Sequence, residues 1–422
     1  MRSYITVHQQ KNLVYILLMF AILLFPQSLL GQLSWFLDRN EKPSIENLKA
    51  SIIVRPEGEI FPSFIIAHAT TGATETGIVP DVGVASDSEI ASGIHFMGDL
   101  AGMVGIKLTS PKEKSQVKFL LSSPELFPEC SFDAVLPLAG REYAIFPKIL
   151  WNFDFLRGIK QIKPVHISCE LTINGEILPK FSTTIKLRTI NDCLFYFEDV
   201  FGSHYPWWMY AAYINENHPE VDQILKDALD SKIVPQFDGY QSEDPADVYK
   251  QVFATWNVLH KRGIKYSSVE NPASRTGGGQ SQYVRFLDES LKLSQANCVD
   301  GCVLLASILR RVGIDAFLVM LPDHMFLGIY LDKEHMTKRF IETTELGSPS
   351  GEEPETDLEL ERLLGEKISR NPSWDSFVRA IRAGREKFGE NRQNLETDVQ
   401  DYFIIDIDRA REKGIIPISF QK

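Results

Sequence analysis

The segment NCVDGCVLLASILRRVG, residues 297–313, constrains the fold of this chain more than any other part of the sequence. Asn297 is a good N-cap, because its side chain can accept a hydrogen bond from a backbone N–H of the first helical turn. Gly313 is typical of the position just beyond a helix end. The residues between them are apolar on nearly every side, as in helices that are buried within a domain. The sequence therefore predicts one buried helix from Cys298 to Val312.

Cys298, Cys302 and His324 allow three interpretations: a metal site, a thiol nucleophile with its base, or two core cysteines beside a chance histidine. Cys298 is the first residue of the predicted helix, where free backbone N–H groups and the helix dipole stabilise a thiolate. Cys302 lies one turn further in among apolar residues, which disfavour a thiolate. Structural zinc sites use tight cysteine pairs or paired histidines, so a metal site fits this spacing poorly. The pattern favours Cys298 as a nucleophile and Cys302 as a core residue.

The residues after this helix predict strands that bring a histidine and an acid together. The run AFLVMLPDHMFLGIYLD gives two strands, with His324 entering the second, and RFIETTEL gives a third strand that contains Glu342. A tight turn at Lys333 and Glu334 would place residue 342 opposite residue 324 or within one position of it. We therefore expect His324 to serve as the base for Cys298 and Glu342 to orient the imidazole ring.

The first half of the chain predicts an antiparallel β-sandwich of immunoglobulin-like kind over residues 42–195. In VHISCELTI the apolar residues alternate with polar ones, and Asn174-Gly175 is a strong hairpin turn before the strand FSTTIKL. Cys169 falls on the apolar face of this strand. It is interpreted as a small core residue or as a disulfide partner of Cys130, and neither cysteine is assigned a catalytic role.

Helices and a polar loop surround the central segment. Pro219 suits the start of one helix, and a second helix ends at Gly263. The glycine-rich run NPASRTGGGQSQYVRF contains no phosphate-binding motif and is expected to form a flexible loop over a site. These elements belong to a second domain, residues 196–350. Residues 351–422 predict an acidic, mostly helical C-terminal extension that docks on that domain.

The N-terminus has the pattern of a secretory signal peptide. Arg2 and Lys11 precede an apolar run over residues 13–25, and Gly31 is a small residue at the expected cleavage point. We therefore predict that residues 1–31 are a signal peptide and that the protein is exported, periplasmic or extracellular. The alternative is an uncleaved membrane anchor, which needs roughly 20 apolar residues, with the bulk of the chain outside the cytoplasm in either case.

Length and charge narrow the class of protein further. A chain of 422 residues predicts two or three domains. The formal net charge of -12 argues against binding to nucleic acid or to anionic lipid, since both need a dense basic surface. Five cysteines in an exported protein leave at least one thiol unpaired. No metal and no cofactor is predicted.

Residues 218–346 resemble the transglutaminase-like superfamily of papain-like folds. The resemblance rests on NCVDGCVLLASILRRVGI, DHMFLGIYLD and FIETT, with VYKQVFATWNVLHKRGIKY as the preceding helix and QYVRFLDESLKL as the approach to the cysteine. It implies an α+β fold in which Cys298 is the nucleophile, His324 the base and Glu342 the orienting acid. The acid is usually Asp in that family, and Phe326 stands where many members have Trp.

Taken together, these features predict an α+β protein in which an immunoglobulin-like sandwich precedes a transglutaminase-like domain. The resemblance implies thiol-dependent acyl transfer on amide bonds of a peptide, protein or cell-wall substrate, with hydrolysis favoured over cross-linking. No nucleic-acid partner is expected, and a membrane is expected only if the N-terminal segment stays uncleaved. The alternative function is a non-catalytic binding or scaffold protein of the cell envelope that keeps the fold. Burial of Cys298 beneath the loop TGGGQSQ with no groove beside it, or a Cys298–Cys302 disulfide, would favour that alternative.

Overall fold

The structure is a computed structural model that describes residues 49–56, 58–69, 93–99, 101–199, 202–267, 279–348, 355–397, 399 and 401–418. The predicted signal peptide lies outside the described residues, as do residues 271–278 of the glycine-rich run. Residues 279–283 of that run form a strand, which corrects the expectation of a flexible loop there. In the described ranges no helix has the length and apolar character needed to cross a membrane. The fold is a mixture of helices and several sheets, which confirms the predicted α+β class.

The first part of the chain consists mainly of strands. Its elements are β1 (Ala50–Val54), β2 (Glu59–Ile60), α1 (Pro62–Ala67), β3 (Ile94–Gly98), β4 (Val104–Thr109), β5 (Ser115–Ser123), β6 (Phe127–Leu136), β7 (Glu142–Phe146), α2 (Phe153–Arg157), β8 (Lys163–Ile173), β9 (Glu176–Ile177) and β10 (Phe181–Leu187). They form a four-stranded sheet in the order β1-β4-β7-β3 and a six-stranded sheet in the order β2-β10-β8-β5-β6, with β9 beside β8. We call this part the two-sheet region.

The two sheets share an apolar core. Buried residues alternate along β5 and β8 of the second sheet, whereas β4 and β7 of the first sheet are buried over most of their length. Ile106 and Ile145 come from the first sheet, and Phe119 and Ile167 come from the second. The hairpin turn at Asn174-Gly175 follows β8 as predicted. The pairing is not purely antiparallel, however, since β3 lies parallel to β7 and β2 lies parallel to β10. Each sheet therefore has one parallel pair of strands, at one edge. This corrects the expectation of an all-antiparallel sandwich.

Cys130 and Cys169 lie on the two strands that flank β5. Both pair with Leu121, Cys130 from β6 and Cys169 from β8. Their backbones are therefore two strand spacings apart, about 9.6 Å, whereas a disulfide needs Cα atoms within about 7 Å. The two cysteines are free, so the disulfide considered for them is not formed. Cys169 is fully buried and is a core residue as predicted.

The second part of the chain contains the central helix. Its elements are β11 (Asp192–Asp199), β12 (Gly202–His204), a 3₁₀ helix (Trp207–Tyr213), α3 (Pro219–Asp230), α4 (Pro245–Lys261), β13 (Lys265–Tyr266), β14 (Gly279–Tyr283), α5 (Leu287–Leu293), β15 (Gln295–Ala296), α6 (Cys298–Arg311), β16 (Ala316–Leu321), β17 (His324–Tyr330), β18 (Lys338–Ile341) and a second 3₁₀ helix (Thr343–Gly347). Strand β11 pairs with β12 and β14, so the boundary predicted at residue 195 falls inside a strand of this second part.

Helix α6 lies in the centre of the second part. It contacts the strands β16 and β17 on one side and the helices α3, α4 and α5 on others. Of its residues, those from Val299 to Leu309 are buried without a break. The predicted helix is confirmed from its first residue, Cys298, to its last turn, and Gly313 follows its end with a φ of 79°. An apolar helix of this kind is stable because other elements cover it on nearly every side.

The C-terminal part is helical, with one strand. Its elements are α7 (Leu358–Leu364), α8 (Glu366–Ser369), α9 (Trp374–Glu396), β19 (Phe403–Asp406) and α10 (Ile407–Glu412). Strand β19 pairs antiparallel with β16 and completes a four-stranded sheet in the order β18-β17-β16-β19. Helix α9 packs against β18 and the second 3₁₀ helix. The C-terminal extension therefore contributes a strand and a long helix to the second part of the fold.

Candidate active site

The start of helix α6 is held by a reciprocal capping arrangement. The Asn297 side chain accepts a hydrogen bond from Asp300 N at 2.8 Å, and the Asp300 carboxylate accepts one from Asn297 N at 3.1 Å. Arg285 donates to the same buried carboxylate from its backbone N and from its guanidinium, at 2.8 and 2.7 Å. These bonds join the approaching chain to the helix. They hold Cys298 at the first helical position.

The two cysteines of α6 lie in different surroundings. Cys302 is fully buried, and its sulfur lies 3.6 Å from Thr343 Oγ1. Burial raises the pKa of the Cys302 thiol well above its ordinary value. Cys298 is partly exposed, and neither cysteine is in a disulfide. Cys302 is therefore a core residue as predicted, and neither condition that would favour a non-catalytic scaffold is met by Cys298.

His324 is the first residue of β17 and lies between Cys298 and Glu342. Its Nε2 is 2.6 Å from Glu342 Oε2, which leaves Nδ1 for the hydrogen bond between the ring and Cys298. Burial lowers the pKa of His324, but hydrogen bonds with Cys298 and Glu342 and the charges of both outweigh burial and raise the pKa to about 9. The imidazole is therefore protonated at neutral pH.

Glu342 is buried and held by several groups at once. Its side chain is 2% exposed. Oε1 accepts hydrogen bonds from Thr344 N at 3.1 Å and from Thr344 Oγ1 at 2.7 Å, while Oε2 faces His324 and also lies 3.3 Å from Lys387 Nζ. Burial acts to raise the pKa of Glu342, but the bonds from His324 and Thr344 outweigh burial and lower it. The carboxylate is therefore ionised and fixed in orientation.

Glu342 reaches His324 through a strand register other than the one predicted. Strands β17 and β18 pair Leu327 with Ile341, and continuing this register places residue 342 opposite Phe326 rather than opposite His324. The connection spans residues 331–337 instead of a tight turn, because Asp332 accepts hydrogen bonds from the backbone N of residues 336 and 337. The offset is two residues, so both side chains still share a face.

The third strand also ends earlier than predicted. Strand β18 stops at Ile341, and Glu342 caps the second 3₁₀ helix instead of lying in mid-strand. A side chain at a strand end has more freedom to turn towards a neighbour than one held within the ladder. The predicted hydrogen bond between Glu342 and His324 is confirmed in spite of both differences. The catalytic roles of Cys298, His324 and Glu342 stay predictions.

The sequence patterns did not identify two threonines and a lysine of the site. Thr343 donates to the carbonyl oxygen of Cys298 at 3.3 Å, and Thr344 anchors Glu342. Helix α6 approaches Thr343 closely at Gly301, where a Cβ atom would lie 2.7 Å from Thr343 Oγ1. The run Glu-Thr-Thr carries a capping signal that could have identified Thr344, because an acid often caps the residue two positions on. No sequence pattern near Glu342 identifies Lys387, because Lys387 is distant from it in the sequence.

Among the residues that the structure describes, no group of three His, Cys, Asp or Glu side chains is arranged to hold a metal ion. No protein-family model matches the sequence, and no curated protein matches it. The assignment of a function therefore depends on the geometry around Cys298.

Proposed function

We propose that this protein is an exported thiol-dependent acyl-transfer enzyme that acts on amide bonds of peptides or proteins. The observation that carries the proposal is the hydrogen-bonded series from Cys298 through His324 to Glu342. It combines a thiol at a helix N-terminus, a protonated imidazole and a buried carboxylate. This set of groups is the one that nucleophilic catalysis by cysteine requires.

The first half of the reaction forms a thioester. The Cys298 thiolate attacks the amide carbonyl carbon, and the electron pair of the C=O bond moves to oxygen. When the tetrahedral intermediate collapses, the C–N bond breaks and the His324 imidazolium gives its proton to the leaving nitrogen. The products are a free amine and an acyl group on the Cys298 sulfur.

The second half regenerates the enzyme. A water molecule gives a proton to neutral His324 as its oxygen attacks the thioester carbonyl. The C–S bond then breaks, the carboxylic acid leaves, and the thiolate and imidazolium are restored. Glu342 keeps the ring in one orientation and stabilises its charged form throughout. Hydrolysis is favoured over cross-linking in this proposal because the resemblance is to secreted bacterial members.

The start of α6 also offers hydrogen-bond donors for the negative oxygen of the intermediate. Asn297 accepts the bonds from Asp300 N and, through its carbonyl, from Gly301 N. Helix geometry gives the N–H groups of Cys298 and Val299 no acceptor within the helix. We assign these two N–H groups to the oxyanion, because preorganised backbone donors are an effective source of transition-state stabilisation.

The order of elements supports the proposed family. A cysteine opens a buried helix, a histidine opens a strand that contacts this helix, and an acid follows the next strand of the same sheet. This order is that of the transglutaminase-like superfamily, and in this proposal the two-sheet region is the immunoglobulin-like domain before it. The net charge of -12 suits neutral or cationic peptide, protein or cell-wall substrates.

Product profiling by mass spectrometry tests the proposal. The exported full-length protein is incubated with a peptide library and with solubilised cell-wall fragments. We expect new pairs of products whose summed mass exceeds the substrate by one water, together with a transient acyl adduct on Cys298. Added primary amine should enter the products only if the thioester also transfers to amines.

Two variants serve as matched controls for this experiment. Cys298→Ala should abolish all product pairs, whereas Cys302→Ala, one helical turn away, should retain them. If wild type and Cys298→Ala yield the same products from every pool, the protein is not a thiol-dependent enzyme of this class.

A further inference from the structure

Helix α9, from the C-terminal part of the chain, packs against the strand that ends at Glu342. Ala380, Gly384 and Lys387 follow one another at spacings of four and three residues, so they lie on one face of the helix. The carbonyl oxygen of Ala380 accepts a hydrogen bond from Glu342 N at 2.9 Å. A Cβ atom at Gly384 would lie 2.6 Å from the carbonyl carbon of Phe340. Gly384 therefore permits a close backbone contact just before the acid.

Lys387 lies one turn beyond this contact and reaches the carboxylate. Its Nζ is 3.3 Å from Glu342 Oε2, the same oxygen that accepts from His324 Nε2 at 2.6 Å. The lysine side chain is 36% exposed, while that of Glu342 is 2% exposed. One oxygen of a buried carboxylate thus has two partners, His324, whose side chain is 22% exposed, and the more exposed Lys387.

We propose that Lys387 is a positioning residue of the active site, which shares the Oε2 atom of Glu342 with His324 and limits how strongly the carboxylate stabilises the imidazolium. This inference rests on the proposed function for its catalytic meaning. It also makes helix α9 a component of the active site.

Several charged or titratable groups lie near Glu342. On the second 3₁₀ helix, Glu345 is paired with Arg379 of α9 at 3.0 Å, so these two charges offset each other. The remaining groups come from three elements that pack around the carboxylate: Cys298, Asp300 and Cys302 on α6, His324 on β17, and Lys387 on α9. Asp300 is paired with Arg285 at 2.7 Å. Lys387 is thus the positive charge that shares an oxygen with His324.

The direction in which Lys387 changes the pKa of His324 follows from this shared oxygen. Lys387 offsets part of the negative charge on Glu342 and therefore opposes protonation of His324. Replacing Lys387 with an uncharged residue should raise the pKa of His324 by roughly 0.5 to 1, since the lysine is partly solvated and its field is screened.

The test is an NMR titration of the histidine ring signals in the full-length chain. The His324 signal is assigned by its loss in His324→Asn. We expect Lys387→Met and Lys387→Gln to raise the pKa of His324, and Lys387→Arg to restore the wild-type value. The control is Arg385→Met, which removes one positive charge from an exposed position of the same helix.

An unchanged pKa of His324 in both uncharged variants, with a folded protein by circular dichroism, would overturn the inference. An equal rise in Arg385→Met would overturn it too, because the effect would then be one of net charge. A different result would contradict the proposed function. If His324→Asn leaves the rate of iodoacetamide alkylation at Cys298 unchanged, the thiol has no base, while the titration still decides the role of Lys387.

Discussion

The cysteines of the two-sheet region and those at the start of helix α6 differ in what surrounds them. Cys169 lies on a strand within the sheet core, and burial together with the charge of Glu170 raises the pKa of its thiol to about 12. Cys130 is partly exposed on β6, donates to the Lys148 carbonyl oxygen at 3.2 Å, and burial raises its pKa as well. Cys298 instead lies at a helix N-terminus beside a protonated imidazole.

We propose that this difference makes Cys298 the reactive thiol. Cys130 and Cys298 are both partly exposed, but Cys130 donates its hydrogen bond to a backbone carbonyl oxygen rather than contacting an imidazole. Cys302 is only one turn away from Cys298 and is buried among apolar groups. A strand offers no aligned dipole, whereas the first turn of a helix does.

The largest expected effect is selective alkylation of Cys298. At pH 6 an ordinary thiol is almost entirely protonated and slow, so iodoacetamide should modify Cys298 at least about a hundredfold faster than Cys130. Peptide mapping of a time course by mass spectrometry gives both rates in one sample. Equal rates at the two residues would remove the distinction between the regions.

Loss of the carboxylate beside His324 should have the next largest effect. Glu342→Gln removes the negative charge that stabilises the imidazolium, so the pKa of His324 should fall and alkylation of Cys298 at pH 6 should slow by about tenfold or more. Alkylation reactions stopped at a series of times give the rate at Cys298, and an NMR titration of the ring protons gives the pKa of His324.

The matched control for this variant is Glu345→Gln. Glu345 lies three residues on and pairs with Arg379, without contacting His324. Its substitution should leave the alkylation rate within about twofold of wild type, because the partner of Glu345 is Arg379 and not the imidazole of His324. Equal slowing in both variants would mean that Glu342 acts through stability alone.

Helix α9 offers a test of the close contact beside the site. Gly384→Ala should destabilise the fold by about 1 to 3 kcal/mol, because the added Cβ would meet the backbone of Phe340 at 2.6 Å. Gly389→Ala, on the same helix with nothing within 4 Å of the added atom, should instead stabilise the fold by up to about 1 kcal/mol. Urea unfolding measures both, and loss of stability in Gly389→Ala would contradict the helix assignment.

A further effect concerns the dependence of the unfolding free energy on pH. The pKa of His324 is about 9 in the folded protein and about 6.5 when unfolded. A raised folded pKa means that the contribution is fully present below about pH 6.5 and is lost as pH rises towards 9. We expect a loss on the order of 1 to 3 kcal/mol over this window, absent in His324→Asn.

In the two-sheet region, the contribution of Cys169 to stability is lost over a different pH range. Because the pKa of Cys169 is raised from 9.0 to about 12, its contribution to stability is lost only above about pH 9. Unfolding free energies measured from pH 6 to 10 in wild type, His324→Asn and Cys169→Ala separate the two contributions. A wild-type curve that is flat between pH 6.5 and 9 would contradict the raised pKa of His324.

The sequence determined the local structure around Cys298. Asn297 and Gly313 mark the ends of α6, and Pro219 and Asn174-Gly175 mark a helix start and a hairpin turn as predicted. Each of these signals acts over about four residues, because a cap or a turn satisfies backbone groups that are close in the chain. The choice of Cys298 over Cys302 as the residue at the helix start required no knowledge of the fold.

Only the tertiary structure decided which groups surround that cysteine. The register that brings Glu342 to His324 depends on the length of the connection before β18, and the parallel edge strands of the two-sheet region depend on which distant segments meet. Lys387 reaches Glu342 because helix α9 packs against β18 across a separation of 45 residues in the chain, from 342 to 387. Local sequence carries no information about such contacts. They arise when distant elements pack together, and no single segment specifies how those elements are arranged.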